Sequence, residues 1–558
     1  MTIFHSSMPR RYGYTLVLTV SLLSSACGGG GSDPTPPNST AGSDATLSAL
    51  SLSNGELDQV FQSSQASYTA SAGYLLDSIG ITAVANDTNA TISINGSSAG
   101  SGIESSAIPL VTGSNNLSIE VTSADTTVTQ DYSVDITKGD LSSLQQRAFI
   151  KADNAGNGDL FGRPVAVSGN TLVIGAPDED SAVNANGSDN SETNSGAAYV
   201  FVRNGNSWTQ QAMLKADNAR AEYRFGASVS ISGDTLVVGS PSEGKNISLE
   251  SGAAYVFTRS NGNWTQQAML KAANADGNDD FGVHVAIDSN LIAVAATGEG
   301  SAAGKAADDN SAPLSGAVYL FEQNNGSWTQ QSMLKASNAE SYDQFGSGLS
   351  ISGETVVVGA ASEDSASSLN QDDNSAAQSG AAYVFVRNNG AWTQQAYLKA
   401  SAADQGDNFG FSVAVSNNLI VVGAIYQDDN SPTESGAAYV FARSGSDWSQ
   451  QGLLKPAGLL DNVQFGFSVA IRDHYIAVGT KGVQSNSGAV YLYHENQGVY
   501  TQLKALTASN AEPGDVLGES VAIADDYLAI SAIGESSSFA GGEADNSETN
   551  AGAVYIWR

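Results

Sequence analysis

The chain has 558 residues, only 14% of them charged, and a formal net charge of −34 from 57 acidic and 23 basic residues. Such an acidic surface repels phosphate backbones and anionic lipid headgroups, which argues against a nucleic-acid partner and against membrane binding through charge. The 59 glycines are typical of tightly packed β-structure with many turns. The length allows several domains or one large repeat array.

Residues 1–26 carry the features of an export signal. Arg10 and Arg11 form a basic start, residues 14–23 are largely apolar, and small residues precede Cys27, the only cysteine of the chain. The segment resembles a bacterial lipoprotein signal peptide. The resemblance implies cleavage before Cys27, lipidation at that residue and a membrane anchor made of several acyl chains, which hold far more firmly than one.

Two features of this signal leave alternatives open. Lipoprotein signals prefer Leu three residues before the cysteine, whereas this chain has Ser24 there and Leu23 one step further back. An ordinary cleaved signal with an unused thiol is therefore an alternative, and Met8 is an alternative start. Gly28 after the cysteine, in place of Asp, implies sorting to the outer membrane. The apolar stretch is shorter than the ~20 residues that a membrane-spanning helix needs.

Residues 27–44 are rich in Gly, Ser and Pro and lack apolar periodicity, which predicts a tether. From residue 45 to residue 138 the pattern changes to short alternating strands. Turn signals such as Asn54-Gly55 and Asn95-Gly96 separate them. About seven strands in this length predict a small β-sandwich.

Several landmarks of residues 45–138 resemble the cadherin-like β-sandwich domain of bacterial envelope proteins. They include the segment from Leu47 to Gly55, Phe61, Tyr68 and the closing segment from Asp131 to Val134. The acidic calcium motifs of true cadherins are not visible, so metal-linked adhesion is not implied. We interpret the domain as a spacer, with a binding module as the alternative.

From residue 143 to residue 558 one unit recurs seven times. The units start at Phe161-Gly162, Phe225-Gly226, Phe281-Gly282, Phe345-Gly346, Phe409-Gly410, Phe465-Gly466 and Leu517-Gly518. Their spacing of 52 to 64 residues is that of a propeller blade with a variable loop. Each unit has four strands by pattern, and the first three are nearly continuous apolar runs. Such runs predict strands that neighbouring blades cover on both faces.

The two ends of the repeat array predict how the ring closes. The segment from Leu144 to Lys151 matches the fourth strand of the first unit, Trp208 to Lys215, whereas the seventh unit ends at Trp557 without a fourth strand. The N-terminal strand should therefore complete the last blade and protect its sheet edge. The predicted fold class is all-β: a seven-bladed β-propeller closed by an N-terminal strand and preceded by a small β-sandwich.

The motifs of these units resemble FG-GAP repeats, the units of the integrin α-chain propeller. Phe-Gly, Ile-Gly-Ala-Pro at 174–177 and Gly-Ala-Ala-Tyr-Val-Phe at 196–201 recur in that order, with variants, over about three quarters of the chain. In that family, Asp-rich loops between the first two strands bind calcium. Here these loops are contracted to turns such as Ser168-Gly-Asn170, which cannot supply the roughly six to eight oxygens that calcium requires.

Acidic and amide residues gather instead in two other sets of loops, before the Phe-Gly pair and between the second and third strands. Asp276, Asn278 and Asp280 are the best candidates for a calcium site, because oxygen ligands at alternating positions suit this cation. The simpler alternative is turn capping, since Asp, Asn and Ser cap turns through side-chain hydrogen bonds. No other cofactor is predicted.

Residues with catalytic chemistry are few. Beyond the signal the histidines are His284, His474 and His494, interpreted as scattered over different blades without a metal-ligand spacing. No nucleophile elbow or phosphate loop occurs, and no Arg cluster for a carboxylate is apparent. Acid pairs are too plentiful to identify a glycosidase. Tyr223 and Tyr426 are interpreted as exposed loop aromatics that could serve recognition.

Together these patterns predict a non-enzymatic lipoprotein of the cell envelope, lipid-anchored in the outer membrane through Cys27. Its partner would be a protein or a glycan that binds the wide propeller face, as in adhesion. The alternative is a periplasm-facing scaffold for envelope assembly or secretion. An enzyme with carboxylates on the propeller face is the third and weakest hypothesis.

Overall fold

The computed structural model describes residues 42–183, 189–245, 250–428, 435–456, 458, 461–483, 485–538 and 545–558. The signal, Cys27 and most of the tether lie outside these residues. Within them the chain forms strands and one 3-10 turn, Leu141–Ser143, so the predicted all-β class is confirmed. The described part of the chain contains no helix that is long and apolar enough to cross a membrane.

Nine strands form the N-terminal sandwich, two more than predicted. They are β1 (Leu47–Leu52), β2 (Ser67–Ala72), β3 (Ser78–Ile79), β4 (Ile81–Ala85), β5 (Thr91–Ile94), β6 (Ser97–Ala99), β7 (Ile108–Pro109), β8 (Gly113–Thr122) and β9 (Thr129–Lys138). A five-stranded sheet has the order β2-β9-β8-β5-β6, and β1-β4 and β3-β7 form two-stranded sheets. Strands β3, β6 and β7 are too short for periodicity to reveal them.

Alternation of buried and exposed residues places the sandwich core on one face of each long strand. In β8 and β9 the inward side chains include Ile119, Val121, Val134 and Ile136, which are fully buried, and their neighbours along the strands face outward. A strand with period two buries every second side chain against the opposing sheet.

Seven four-stranded antiparallel sheets follow, and the first six are meanders. Sheets one to three consist of β11 (Val165–Ser168), β12 (Thr171–Ala176), β13 (Ala197–Asn204), β14 (Ser207–Leu214); β15 (Ser228–Ser232), β16 (Thr235–Ser240), β17 (Ala253–Ser260), β18 (Asn263–Leu270); and β19 (Val285–Asp288), β20 (Leu291–Ala296), β21 (Ala317–Asn324), β22 (Ser327–Leu334).

Sheets four to six repeat this arrangement, and sheet seven takes its outer strand from the start of the array. Their strands are β23 (Phe345–Ser352), β24 (Thr355–Ala360), β25 (Ala381–Asn388), β26 (Ala391–Leu398); β27 (Phe409–Ser416), β28 (Leu419–Ala424), β29 (Ala437–Ser444), β30 (Asp447–Leu454); β31 (Ser468–Arg472), β32 (Tyr475–Thr480), β33 (Ala489–Asn496), β34 (Val499–Leu506); and β10 (Gln146–Ile150), β35 (Leu517–Ile523), β36 (Leu528–Ala532), β37 (Ala553–Trp557).

The seven sheets are arranged as the blades of a propeller. Their first strands contact one another in the order β11, β15, β19, β23, β27, β31 and β35, and β35 contacts β11. The sheets stay separate, so packing between sheets closes the ring. Strand β10 pairs with β37, where Phe149 lies opposite Tyr555, and completes sheet seven as predicted.

The Phe-Gly pair joins each sheet to the preceding one. In sheet five, the N–H of Phe409 donates to the carbonyl oxygen of Ser379 in the loop of sheet four, at 3.0 Å. Its buried ring packs edge-on against Tyr439, with centroids 5.5 Å apart. Gly410 has a φ of +95°, and a Cβ there would overlap the carbonyl oxygen of Ala381. Only glycine fits this position.

A second glycine, which recurs in five of the seven sheets, reflects close packing between blades. A Cβ on Gly359 in β24 would overlap the carbonyl oxygen of Gly410 in sheet five. The Gly-Ala motif therefore marks the point where the backbones of neighbouring sheets approach each other.

The propeller has two different faces. We call the "hairpin face" the side with the turns that join the first to the second and the third to the fourth strands, such as Gly169-Asn170 and Gly205-Asn206. The "loop face" is the opposite side, with the connections from the second to the third strand and the segments that precede each Phe-Gly pair.

The sandwich docks on the hairpin face at sheets six and seven. Leu75 is fully buried in a core that it shares with Tyr475 and Tyr555. Asp77 accepts hydrogen bonds from Lys138 Nζ at 3.2 Å and from the Tyr475 hydroxyl at 3.1 Å. Apolar burial and a shared carboxylate thus connect the two domains.

Candidate functional site

A buried ion pair recurs at the loop-face edge of the blades. In sheet four, Lys399 Nζ donates to Glu363 Oε2 at 2.8 Å and to Ser379 Oγ at 2.7 Å, and both charged side chains are at most 2% exposed. Burial lowers the pKa of Lys399, and the adjacent Glu363 charge opposes this shift. Equivalent pairs are Lys215–Glu179, Lys271–Glu243 and Lys335–Glu299.

In sheet four an asparagine and a tyrosine extend the pair into a network. Asn338 Nδ2 donates to Glu363 Oε1 at 3.1 Å, and the Tyr383 hydroxyl donates to Asn338 Oδ1 at 2.8 Å. The network joins the segment before the Phe-Gly pair, the long loop and two strands of one sheet. In sheet five Gln427 replaces the glutamate. Because every polar group in it is satisfied and the pattern repeats, we interpret the network as scaffold.

A second recurring carboxyl lies two residues before the Phe-Gly pair. Asp343 Oδ2 accepts the N–H of Glu340 at 2.8 Å beneath the loop, and burial raises the pKa of Asp343 to about 7. Burial also raises the pKa of Asp159 to about 7 and that of Asp279 and Asp515 to about 6. Such pKa values suit acid–base chemistry, but the carboxyls are buried and bonded to their own loops.

The interpretation of Tyr223 as an exposed loop aromatic was wrong. Tyr223 is 1% exposed and occupies, in sheet two, the buried position that Asp343 has in sheet four. Both residues precede the Phe-Gly pair by two, so aligning the repeats would have revealed it. Tyr426 is half-buried, and its hydroxyl accepts a hydrogen bond from Gln464 Nε2 at 3.2 Å.

The contacts of the three calcium candidates diverge. Asp276 Oδ2 accepts from Asn310 Nδ2 at 2.8 Å, and the N–H of Asn278 donates to the carbonyl oxygen of Glu250 at 2.6 Å. Asp280 instead lines the central channel. The part of the chain that the structure describes holds no group of three or more His, Cys, Asp or Glu side chains arranged for a metal ion. Calcium binding stays a prediction.

Aspartates in the long loops cap turns through side-chain hydrogen bonds, which is the alternative to a calcium site. Asp309 Oδ2 accepts from Ser311 Oγ at 2.6 Å and from the N–H of Ala302 at 3.3 Å. Asp189 caps Ser191 in the same way, with its Oδ1 accepting the N–H at 3.1 Å. These residues order their own turns.

The central channel opens at the loop face into a cavity of about 660 Å³. Its lining includes Arg163, Arg224, His284, Phe411 and Phe467. These residues follow or directly precede the Phe-Gly pairs of five different sheets, and the ring brings them together. Pattern analysis did not show that they meet, because they belong to five different repeats and only the closed ring brings them together.

Ion pairs and aromatic contacts occur among the residues in and around this cavity. Arg224 Nε lies 3.4 Å from Asp178 Oδ1. The Phe411 and Phe467 rings have centroids 5.0 Å apart, and Lys481 Nζ lies 3.4 Å from the centre of the Phe467 ring. Burial, followed by the charge of Arg163, lowers the pKa of His284 to about 4, so its imidazole is neutral at pH 7.

The hairpin face brings together residues that sequence analysis considered separate. Arg203 donates to Asp526 at 2.7 and 3.0 Å, Arg558 Nη2 lies 3.0 Å from Asp526 Oδ2, and Arg147 Nε donates to the main-chain oxygen of Arg558 at 3.2 Å. The expectation of no Arg cluster was therefore wrong. These arginines lie beside a cavity between the domains, but Asp526 already binds two of them.

The histidine assignment also needs correction. His474 and His494 belong to the same sheet, six, with ring centroids 6.4 Å apart. His494 Nε2 lies 3.2 Å from Asp77 Oδ2, and His474 Nδ1 lies 2.5 Å from Glu495 Oε2. The first contact contributes to the junction between the domains.

Comparison with known proteins agrees with this architecture. The model of the FG-GAP repeat matches seven segments, 144–201, 208–257, 264–321, 328–385, 392–441, 448–493 and 500–557, and that of the cadherin-like beta sandwich domain matches residues 47–139. Domains of both kinds are typically non-catalytic.

A curated relative is described as "Putative membrane protein" and comes from Evansella cellulosilytica. It is 41% identical over 96 residues, which are 17% of this chain and 14% of that protein, so the match spans a small part of either. The repeat matches, in contrast, cover more than half of the chain, and each matched segment spans the fourth strand of one sheet and the first three strands of the next. The chain belongs to the FG-GAP repeat family, with an N-terminal cadherin-like β-sandwich domain.

Proposed function

We propose that this protein is a non-enzymatic binding protein of the cell envelope, anchored through a lipid on Cys27, and that it presents the loop face of its propeller to a protein or glycan partner. FG-GAP repeats suggest an adhesion or interaction protein. The anchor, the location and the partner are parts of this proposal.

One observation carries the proposal: the sandwich docks on the hairpin face. Since the predicted tether precedes the sandwich, an anchor at Cys27 would hold the hairpin face toward the membrane and direct the loop face away from it. The loop face carries the connections that differ most in length and composition, and propellers use such connections for recognition.

The chemistry of the loop face supports binding rather than catalysis. Its buried carboxyls, such as Glu363 and Asp343, are bonded to Lys399 and to main-chain N–H groups. A hydrolase needs a carboxyl that can reach its substrate. The exposed part of the face is formed by loop tips and by the mouth of the channel.

Protease treatment of intact cells, probed with an antibody against the propeller, tests the exposure of this face. Loss of the signal from intact cells, together with blocked attachment by Fab fragments against the loop face, is the expected result. Protection until the outer membrane is broken would contradict the adhesion proposal and favour a periplasm-facing scaffold.

The lipid anchor has a separate test. Metabolic labelling with an alkyne fatty acid should mark the wild-type protein, and Cys27→Ser should lose both the label and membrane fractionation. Cys27→Ser that keeps its membrane fractionation would show that another element holds the protein at the membrane.

A further inference from the structure

We propose that the channel mouth on the loop face is a binding site for a saccharide that carries a single carboxylate, such as a uronic or sialic acid residue. The inference deepens the proposed function, on which it rests, by giving the class of the glycan. The site consists of Arg163 and His284 on one side and of Phe411 and Phe467 on the other.

Departures from the internal repeat point to this site. At the second position after the Phe-Gly pair, Ser228, Ser412 and Ser468 donate to the carbonyl oxygen of a glycine in the next sheet, at 2.7 to 2.8 Å. His284 replaces this serine in sheet three. Within the described residues its imidazole forms no hydrogen bond, although it borders the cavity. The scaffold does not require a histidine there.

Arg163 stands at a position where the residue varies from sheet to sheet. At the first position after the Phe-Gly pair, sheets two to four have the small residues Ala227, Val283 and Ser347. The guanidinium of Arg163 is exposed to the channel, and within the described residues it has no hydrogen-bond or ion-pair partner. Its donors are therefore available to a ligand, and guanidinium binds carboxylate with two parallel hydrogen bonds.

Two ion pairs near the cavity are neutral overall, which leaves the guanidinium of Arg163 to attract one negatively charged group. Arg224 forms an ion pair with Asp178. Lys481 Nζ lies 2.6 Å from Glu519 Oε2, so the charges of this second pair also cancel. Asp280 also lines the cavity, and burial, followed by the charge of Glu250, raises its pKa. Among the described residues that line the cavity, Arg163 is the cation without an ion-pair partner, and the net charge of −34 on the whole chain repels polyanions.

The opposite wall suits a sugar ring. Phe411 and Phe467 stand at the position of Arg163 in sheets five and six, are half-buried, and contact each other over the cavity. Aromatic rings pack against the C–H face of a sugar, while the neutral His284 can donate to or accept from its hydroxyls. A cavity of about 660 Å³ has the size of small-molecule sites.

Calorimetric titration of the full chain tests the site. The probes are disaccharides that end in glucuronate, galacturonate or neuraminate, with matched neutral disaccharides and an acidic peptide. We expect at least one acidic sugar to bind more tightly than its neutral match. Arg163→Gln should weaken this binding about tenfold or more, because it removes a charge-assisted hydrogen bond.

Arg220→Gln is the matched control, since Arg220 is an exposed arginine of the loop face that does not line the cavity. It removes the same charge and should leave binding unchanged. Phe411→Ser should weaken the binding of acidic and neutral sugars equally. Circular dichroism checks that each variant folds.

Three results would overturn the inference: equal binding of acidic and neutral sugars, equal effects of the Arg163 and Arg220 variants, or binding of the acidic peptide alone. Attachment of intact cells, measured in parallel, separates this site from the proposed function. Attachment that is blocked by Fab fragments but unaffected by Arg163→Gln would refute the channel site and retain the binding role of the loop face.

Discussion

The hairpin face and the loop face are built from the same repeat, yet their connections differ in length and in support. The hairpins within sheets one to six have two-residue turns, whereas the connections from the second to the third strand range from 8 residues at 481–488 to 20 residues at 361–380. A two-residue turn is fixed by the register of its strands. A long connection needs its own buried support, which the Lys–Glu–Asn networks supply, and its tip is then free to vary.

The buried polar groups of the two faces therefore have different roles. On the loop face the buried pairs hold loops within one blade, whereas on the hairpin face Asp77 connects two domains. Substitutions at the base of a loop should thus affect stability, and substitutions at its tip should not. Four measurements test this difference between the two faces and between the base and the tip of a loop.

The largest effect is expected at the base of a loop. Lys399→Met leaves the buried Glu363 without its cation and should lower the free energy of unfolding by about 3–5 kcal/mol in urea titration. Lys245→Met is the control, because Lys245 pairs with Glu222 at the surface, where such pairs contribute about 1 kcal/mol or less. Equal effects of the two variants would show that the buried networks are not what supports the loops.

A smaller effect is expected at the domain junction. Burial disfavours ionisation of Asp77, but the hydrogen bond from His494 and the charge of Lys138 outweigh it and lower its pKa to about 2. Asp77→Asn should cost about 1.5–3 kcal/mol and expose residues 139–143 to limited proteolysis. The stabilisation by Asp77 should be present above about pH 4 and be lost as the pH falls toward 2. Unchanged proteolysis would show that apolar contacts alone hold the sandwich.

The buried aspartates should produce the opposite pH dependence. Asp343 has a pKa of about 7 in the folded state against 3.8 in the unfolded chain, so between pH 4 and 7 the folded state binds the extra proton. Stability should therefore decrease as the pH rises through this window. Asp343→Asn should reduce the slope by about 1 kcal/mol per pH unit in denaturation from pH 5 to 7. An unchanged slope would contradict the assignment.

The smallest effect is expected at a loop tip. Leu369, which is 95% exposed, lies in the long connection of sheet four. Leu369→Ser should change the free energy of unfolding by less than about 0.5 kcal/mol, because no packing is lost. A loss above about 1 kcal/mol would mean that the loop tips also stabilise the propeller, and the contrast between base and tip would fail.

Sequence periodicity predicted most of the fold because the repeat presents the same signal seven times. Apolar runs such as 171–175 became buried strands, and the spare strand at 144–151 predicted the closure of sheet seven. The match to FG-GAP repeats depends on the same motifs. Short strands of the sandwich, such as β6, escaped prediction because three residues carry no period.

The number of blades, their order and the residues that pack within each follow from the sequence alone, since these depend on local patterns repeated in phase. Which side chains of different blades meet depends instead on the tertiary structure. Ring closure places Arg163 near His284, which follows it by 121 positions, and docking of the sandwich brings Asp77 to His494. Such contacts follow from the geometry of the closed ring and of the domain junction, which no local pattern encodes.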